Sequence, residues 1–303
     1  MESLKETYNK LLSNESSIHA ATDLERQTIQ TVELEMLDDI ISCCEKYNLS
    51  ILLGGGSCLG AVRHGGFIPW DDDIDLNMPR SDLEKLKDIF MVELGDKYIL
   101  HAPNYGNTKS KWRFAKIEKT DTLLVDNDDK SNCTGICIDI FPIEMIPHNR
   151  ILRFFHGVVA DGMMFIAGQV WFAKKSSMAF RKAMKSSFSG KIRYITKMII
   201  GNIFGVCPLY KWFNVVDKCC QYKGKTDLMG VPTGRKHYFG EIFNASVYLP
   251  AKEVSFSGHK AFLPNNEDEY LSNLYGNYMT IPPENKREHH YIYEVIIDGS
   301  IIK

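Results

Sequence analysis

The chain has 303 residues, 44% of them hydrophobic and 24% charged, with a formal net charge of −2 at pH 7. This is the balance of a soluble globular protein with enough apolar material for one large core or two smaller ones, and it excludes global disorder. The near-neutral charge gives no general pull towards nucleic acid, and the scatter of the eight cysteines matches neither a small disulfide framework nor a zinc-ligand set.

The opening MESLKETYNKLLSNESS has early acidic residues and no continuous apolar run. It reads as neither a secretory signal nor a membrane anchor, and a cytoplasmic protein is expected. From Asp23 to Tyr47, apolar residues fall at Ile29, Val32, Met36, Ile40, Cys43 and Tyr47, in steps of three and four that predict an amphipathic helix. Leu49 to Leu53 form a β-prone run that Gly54, Gly55 and Gly56 break, so a strand is expected to enter a tight turn before a helix. DIDLNM reads as a further strand and RSDLEKLKDIFM as a helix, its start marked by Ser81 with Glu84 three residues on. WRFAKIEK, TLLVD and GICIDIFPI are the remaining strand candidates up to Pro147, an alternation that indicates an α/β or α+β sheet domain. Cys133 and Cys137 stand four residues apart without a second ligand pair, so free thiols are expected.

From about His148 to Gly230 the character changes. FFHGVVADGMMFIAGQVWFAKK is the most apolar stretch, but Asp161 interrupts it and the uncharged part that follows is too short to span a bilayer, so a buried or interfacial helix is expected. Residues 174–225 then carry twelve Lys or Arg against Asp217 alone. Such a segment is either a solvated helical face or a surface that meets anionic lipid headgroups or a polyanionic glycan. The aromatic-rich remainder begins at Val231, and Pro282-Pro283 stops any helix begun at Tyr270.

The chemistry concentrates in GGFIPWDDDIDLNMP, where Asp71, Asp72, Asp73 and Asp75 stand beside Trp70, Ile74 and Leu76. Adjacent carboxylates repel one another and resist burial, so a positive partner is expected. An EF-hand is excluded: position six is Leu76, position twelve is Asp82, and Pro79 interrupts the loop. On a strand, Asp73 and Asp75 share one face about 7 Å apart while Ile74 and Leu76 turn into the core, and Asp71 joins them at the edge. Carboxylates so placed converge on a hard divalent cation, and Mg²⁺ commonly completes its shell with phosphate oxygens. In GICIDIFPI, Ile136, Ile138 and Ile140 share one face and Cys137, Asp139 and Phe141 the other, which offers Asp139 either as a third acidic residue or as a strand-edge cap before Pro142. The GGGS turn lets backbone approach phosphate, and the N–H groups of the next helix can take negative charge. It has neither a Walker ending nor the dinucleotide pattern. Followed sixteen residues after Ser57 by Asp-Ile-Asp, it becomes specific.

This combination resembles the nucleotidyltransferase superfamily, and LLGGGSCLGAVRHGGFIPWDDDIDLNMPRSDLEKL resembles the LicD family, which includes bacterial phosphocholine transferases and fukutin-type sugar-modifying enzymes. The likeness extends through WRFAKIEKTDTLLVD and CIDIFPIE and recurs in YLSNLYGNYMTIPPENKREHH. It implies an α+β fold: a nucleotidyltransferase-like mixed sheet with flanking helices over residues 1–147, a basic, mainly helical insertion over 148–230, and a segment over 231–303 that completes the domain. It also implies an Mg²⁺-dependent transferase, with Mn²⁺ as the alternative ion. Such an enzyme moves a phospho-alcohol, phosphocholine first, from a CDP-alcohol to a sugar hydroxyl of a cell-surface glycan or its lipid-linked precursor, and releases CMP. CDP-ribitol and CDP-glycerol are the alternative donors.

Carried onto this chain, the resemblance sets Gly55, Gly56 and Ser57 along the donor phosphates and Asp73 and Asp75 on the metal. Asp139 is the third acidic residue, as base or as ligand, and Asp71 assists through water. Arg63, His64 and Lys116 contact phosphate; Lys116 is the better charge partner, and His64 is equally open to a structural role. Fukutin-type relatives carry a membrane anchor and some a cysteine-based zinc site. Neither pattern is present, which favours a cytoplasmic, bacterial-type enzyme at the inner face of the membrane, in peripheral contact with anionic lipid. The competing classes are a catalytically silent glycan-binding scaffold and a nucleotidyl transferase that releases pyrophosphate.

Overall fold

The computed structural model describes residues 19–106, 109–126, 134–284, 287, 291–297 and 299–302, which leaves Cys133 outside the described residues. A short strand β1 (His19–Ala20) leads into helix α1 (Asp23–Lys46). Thr22 caps that helix: its hydroxyl accepts the Glu25 N–H while the Glu25 carboxylate takes the Thr22 N–H, a reciprocal pair that satisfies two otherwise orphaned donors. Strand β2 (Leu52–Leu53) is shorter than the apolar run that contains it. Helix α2 (Gly55–His64), strand β3 (Asp75–Pro79), helix α3 (Arg80–Glu93), strand β4 (Tyr98–His101), strand β5 (Ala115–Lys119), strand β6 (Thr122–Asp126) and strand β7 (Cys137–Ile146) follow.

Four helices come next: α4 (Arg150–Lys175), α5 (Met178–Met184), α6 (Phe188–Phe204) and α7 (Leu209–Cys220). The chain returns through β8 (Leu228–Gly230), α8 (His237–Gly240), β9 (Ile242–Asn244), α9 (Ala245–Tyr248), the hairpin β10 (Lys252–Phe256) and β11 (His259–Leu263), α10 (Glu267–Tyr275), β12 (Tyr291–Ile297) and β13 (Ser300–Ile302).

Two expected boundaries move. Helix α3 begins at Arg80 with Pro79 as its cap, so Ser81 lies inside the first turn, and Glu84 pairs with Arg80 and Lys87 instead of closing a capping box. Helix α10 starts at Glu267 under an Asn266 cap and ends at Gly276, before the proline pair is reached.

The fold is α+β, built on a mixed sheet in the order β2-β3-β7-β5-β4. β3 and β7 run parallel, while β2, β5 and β4 join antiparallel. Pro142 does not end β7, as a turn-capping reading of Asp139 would have it. The Asp139 N–H points to β3 and donates to the Ile74 carbonyl, so by alternation Pro142 faces the other neighbour. There, pairing with β5 stops at Ile140 and pairing with β8 starts at Glu144. The missing N–H thus falls in the gap between two partners.

The main core gathers Ile29, Met36 and Ile40 of α1, Leu76, Ile117, Ile138 and Ile140 of the sheet, and Tyr270 and Leu271 of α10. A second core of Ile146, Ala160, Met164, Phe213, Val216 and Tyr238 lies under α4 and α7. By length and composition α4 could cross a membrane, and the apolar pair α6 and α7 is bent by 92° at its break.

A buried ion cluster joins the two cores. Arg80, the first residue after β3, donates through Nε to Glu144 of β7 at 2.9 Å and through Nη2 to Asp217 of α7 at 2.7 Å. Asn104 and Gln221 complete the hydrogen bonding of Asp217. Burial pushes the Glu144 carboxyl up to about 7 even against the pull of Arg80. Replacing Arg80 with Met strands two buried carboxylates without their cation, and a loss of about 3–5 kcal/mol is expected by urea unfolding at pH 7. Without Arg80 the Glu144 carboxyl moves further above 7 and takes up a proton, so part of the loss should return as pH falls from 7 to 5; Glu84→Gln, on an exposed partner, should cost far less.

Candidate active site

The sheet register assembles the site. Asp75 of β3 lies opposite Asp139 of β7, and Asp139 lies opposite Lys116 of β5. Neighbouring strands are about 4.8 Å apart and paired residues share a face, so the three side chains form a row across the sheet. Exposure alternates from Asp71 to Asp75: Asp71, Asp73 and Asp75 are partly open, whereas Asp72 and Ile74 are buried. The period-two expectation therefore holds, although Asp73 precedes the paired part of the strand. Lys116 Nζ sits 2.7 Å from Asp139 Oδ1, 3.3 Å from Cys137 Sγ and 5.4 Å from the centre of the Trp112 ring. This is the positive partner that the aspartates demand.

Facing the row is the start of α2. Gly54, its cap, donates to the Asp75 carbonyl at 2.8 Å, and the Gly55 N–H donates to the Tyr270 hydroxyl at 3.1 Å. The same hydroxyl accepts from Asn77 Nδ2 at 2.9 Å, so Tyr270 fixes the helix start to β3. Gly55 has φ +43°, and a Cβ there would lie 3.0 Å from Asp75 Oδ2; at Gly56 it would lie 3.1 Å from Asp71 Oδ2. Glycine is what lets helix backbone come this close to carboxylates. Ser57, expected along the donor phosphates, is buried instead: its hydroxyl accepts the Asp75 N–H at 2.8 Å and lies 3.4 Å from the Asp73 carbonyl, so it holds the aspartate segment in place.

Arg63 and His64 close the other end of α2, about 12 Å along the helix from Gly55. Arg63 donates to His64 Nε2 at 2.9 Å and to the Tyr278 carbonyl at 2.8 Å. Burial, then Arg63, lowers the pKa of His64, whose ring meets Trp70 edge-on. The register therefore gathers Gly55, Gly56, Asp71, Asp73, Asp75, Asp139 and Lys116 in one place and leaves Arg63 and His64 outside it. His64 lines an open cleft of about 450 Å³ with Arg26 and Gln30, and Gln30 also holds the Asp71 carbonyl at 2.8 Å.

Three further residues belong to this neighbourhood. Glu33 of α1 is 2% exposed, and its Oε2 has no hydrogen-bond partner. Burial, then Asp73, Asp72, Asp139 and Asp71, raise its carboxyl well above the ordinary range. Tyr275 lies near Gly55, and Arg235 stacks over its ring at 5.3 Å, which brings a guanidinium to the rim. Burial, then Asp73, Asp139 and Asp71, push Asp75 well up too, with Lys116 opposing. Against burial, Asp139 and Cys137 make the Lys116 ammonium harder to deprotonate.

An all-carboxylate donor set suits a hard divalent cation, and the orphaned Glu33 oxygen and the glycine cradle leave oxygen donors facing one another. Among the described residues, no three His, Cys, Asp or Glu stand close enough to cage an ion alone. An ion held here would complete its shell with phosphate oxygens.

Carboxylates gathered against a glycine-rich helix start on a mixed sheet define the nucleotidyltransferase-like class of phosphate-handling enzymes. The family model described as "LicD/FKTN/FKRP, nucleotidyltransferase domain" matches residues 48–189, and so runs past the sheet into the helical layer. "Lipopolysaccharide cholinephosphotransferase LicD" of Haemophilus influenzae is 30% identical over 284 residues, 88% of this chain and 96% of that protein. "Ribitol 5-phosphate transferase FKRP" of Homo sapiens is 38% identical over 56 residues, 18% of this chain and 11% of that protein. The chain belongs to the LicD family, and it is an enzyme of the phosphotransferase class.

Glu33 and Asp75 both hold their protons more tightly when folded than when unfolded. The stability they permit is complete below the ordinary carboxylate values of 4.5 and 3.8 and is lost as pH rises through the elevated ones. Glu33→Gln should therefore raise the melting temperature of the metal-free protein at pH 8, by about 2–4 °C per kcal/mol relieved, and change it little at pH 4.5. Scanning calorimetry in EDTA checks this; equal shifts at both pH values would contradict an electrostatic cause.

Proposed function

We propose that the enzyme transfers a phospho-alcohol, phosphocholine in the first instance, from a CDP-alcohol to a sugar hydroxyl of a cell-surface glycan or its lipid-linked precursor, and releases CMP. The observation that carries this reading is the register match of Asp75 with Asp139 beside the glycine start of α2, with Lys116 next in the row. The name of the Haemophilus influenzae relative, which covers nearly the whole chain, supports choline first; the name of the shorter FKRP match supports ribitol phosphate as the second donor.

In this mechanism the backbone at Gly55 and Gly56 lies against the donor phosphates, where the first N–H groups of a helix attract negative charge. Lys116 adds a fixed cation on the sheet side, and Arg235 a second at the rim. Asp71, Asp73, Asp75 and Asp139, together with the donor phosphate oxygens, would hold Mg²⁺ or Mn²⁺, which would neutralise pyrophosphate charge and ease departure of CMP. A sugar oxygen attacks the phosphorus that bears the alcohol as the bond from that phosphorus to the CMP oxygen breaks. The hydroxyl proton passes to a carboxylate, with Asp139 the residue in position either to accept it or to hold the ion. We place the reaction in the cytoplasm, at the inner face of the membrane.

Incubation with CDP-choline, CDP-ribitol and CDP-glycerol, each with Mg²⁺ and a sugar acceptor, should give CMP, fastest with CDP-choline, and EDTA should stop it. Asp75→Asn should lower turnover at least 100-fold while the metal-free melting temperature holds or rises, because the change removes charge but not volume. Normal turnover in that variant would overturn the site. Pyrophosphate from a nucleoside triphosphate, with no CMP from any CDP-alcohol, would favour nucleotidyl transfer, and no donor binding at all would favour the scaffold.

A further inference from the structure

We propose that the outer faces of α4 and α6 dock, in the plane of the surface, on an anionic lipid bilayer. The inference concerns a face that carries none of the site carboxylates and stands whichever alcohol the enzyme moves. Helix α6 is the outermost layer: Gly201 is its one buried residue. Phe188, Ile192, Ile195, Ile199 and Ile203 follow one another at steps of four, three, four and four, so they share a stripe within about 80° of arc. All five are exposed, Phe188 by 81% and Ile203 by 63%. Gly201 and Lys197 lie on the opposite side, against α4. A Cβ at Gly201 would come within 2.3 Å of the Gln169 carbonyl oxygen, and Lys197 Nζ donates to Gln169 Oε1 at 3.1 Å.

Helix α4 continues that surface. Gln169 and Ala173, which α6 covers, fall on the same helical side as Ile151, Phe155, Val158 and Phe165. Those four are exposed, whereas Gly201, Lys197 and Tyr194 of α6 meet Gln169, Phe172 and Ala173 in the last third of α4. The reverse side packs down: Ala160 and Met164 enter the second core, a Cβ at Gly157 would strike Phe239, and Asp161 Oδ1 accepts the Tyr238 N–H at 3.2 Å. The open faces of both helices therefore point away from the core. Spanning a membrane would require α4 to leave that core, whereas lying in the interface does not.

Charge selects the occupant. Of the twelve Lys and Arg in residues 174–225, Lys191 borders the stripe on α6, and Lys182, Lys185 and Arg193 are exposed on α5 and α6 beside it in sequence. The sole acid of the segment, Asp217, is buried against Arg80 and offsets none of them. A second copy seated symmetrically on this face would bring like charges together. Anionic headgroups complement the charge, and acyl chains take the stripe. Arg181, counted with the basic surface in the sequence, belongs elsewhere: its guanidinium donates to the Ser176 hydroxyl and the Ala173 carbonyl and closes the end of α4.

The test is co-sedimentation of the full chain with vesicles of phosphatidylcholine alone or with 30% phosphatidylglycerol, beside light scattering for oligomeric state. Wild type should bind the anionic vesicles at least tenfold more tightly, and 0.5 M salt should weaken it. Ile192→Ser with Ile195→Ser and Ile199→Ser should lower binding at least tenfold; Lys182→Gln with Lys191→Gln and Arg193→Gln should reduce it to the neutral-lipid level. Both variants alter only exposed side chains, so their melting temperatures should match wild type. Undiminished binding by both variants would overturn the proposal. So would a wild type that ignores anionic vesicles and forms a dimer which the serine variant dissociates.

Discussion

Charge repulsion at the centre of the sheet sets the terms for everything around it. Asp75 and Asp139 sit on hydrogen-bonded parallel strands in the same register, and the backbone cannot move them apart without breaking the ladder. Asp71, Asp73 and the buried Glu33 add to the same field. Without a bound ion, the only cation set into the row among the described residues is Lys116, and it engages one carboxylate of the group. Such an arrangement is costly in the folded protein and persists because the surrounding core over-determines it. It is also an arrangement that rewards a ligand carrying positive charge, since binding relieves the strain that folding imposes.

The local details read as responses to that constraint. Glycine at 55 and 56 brings helix backbone within reach of two aspartates; Tyr270 holds the helix start and Asn77 together; Ser57 ties down the segment that carries the charges. Each limits how far the carboxylates can separate.

Much of this was legible in the sequence because its signals are local. The period-two alternation around Asp73 and Asp75 and the apolar face of Ile136, Ile138 and Ile140 survive into the structure, since burial of one strand face enforces them. The engagement of the Ser57 hydroxyl with the Asp73–Asp75 backbone could not be read from the sequence, because it exists only once the partner strand is in place. Glu33 was invisible: it sits in a helix of ordinary amphipathic pattern, and only tertiary packing turns that position towards the aspartates. Strand β4 escaped because its central Ile99 is exposed while Tyr98 and Leu100 are buried, the inverse of what its hydrophobicity suggests. The proline in β7 looked like an end because the change of neighbouring strand at that point is a property of topology, which no single segment encodes.

Both carboxylate strands run straight from the site into the buried ion cluster. β3 ends one residue before Arg80, and β7 carries Glu144 five residues beyond Asp139. Asp217 brings α7 to the same point, so the helical layer is fixed to the strands by charge in a buried seam rather than by a flexible linker. A buried ionic contact tolerates little displacement, because separating its members leaves each without compensation. Whatever surface the outer face of α4 and α6 meets, its distance from Asp75 and Asp139 is therefore set by the fold. For an enzyme whose acceptor is proposed to lie on a lipid carrier, that fixed distance would decide which sugar along the glycan can reach the donor.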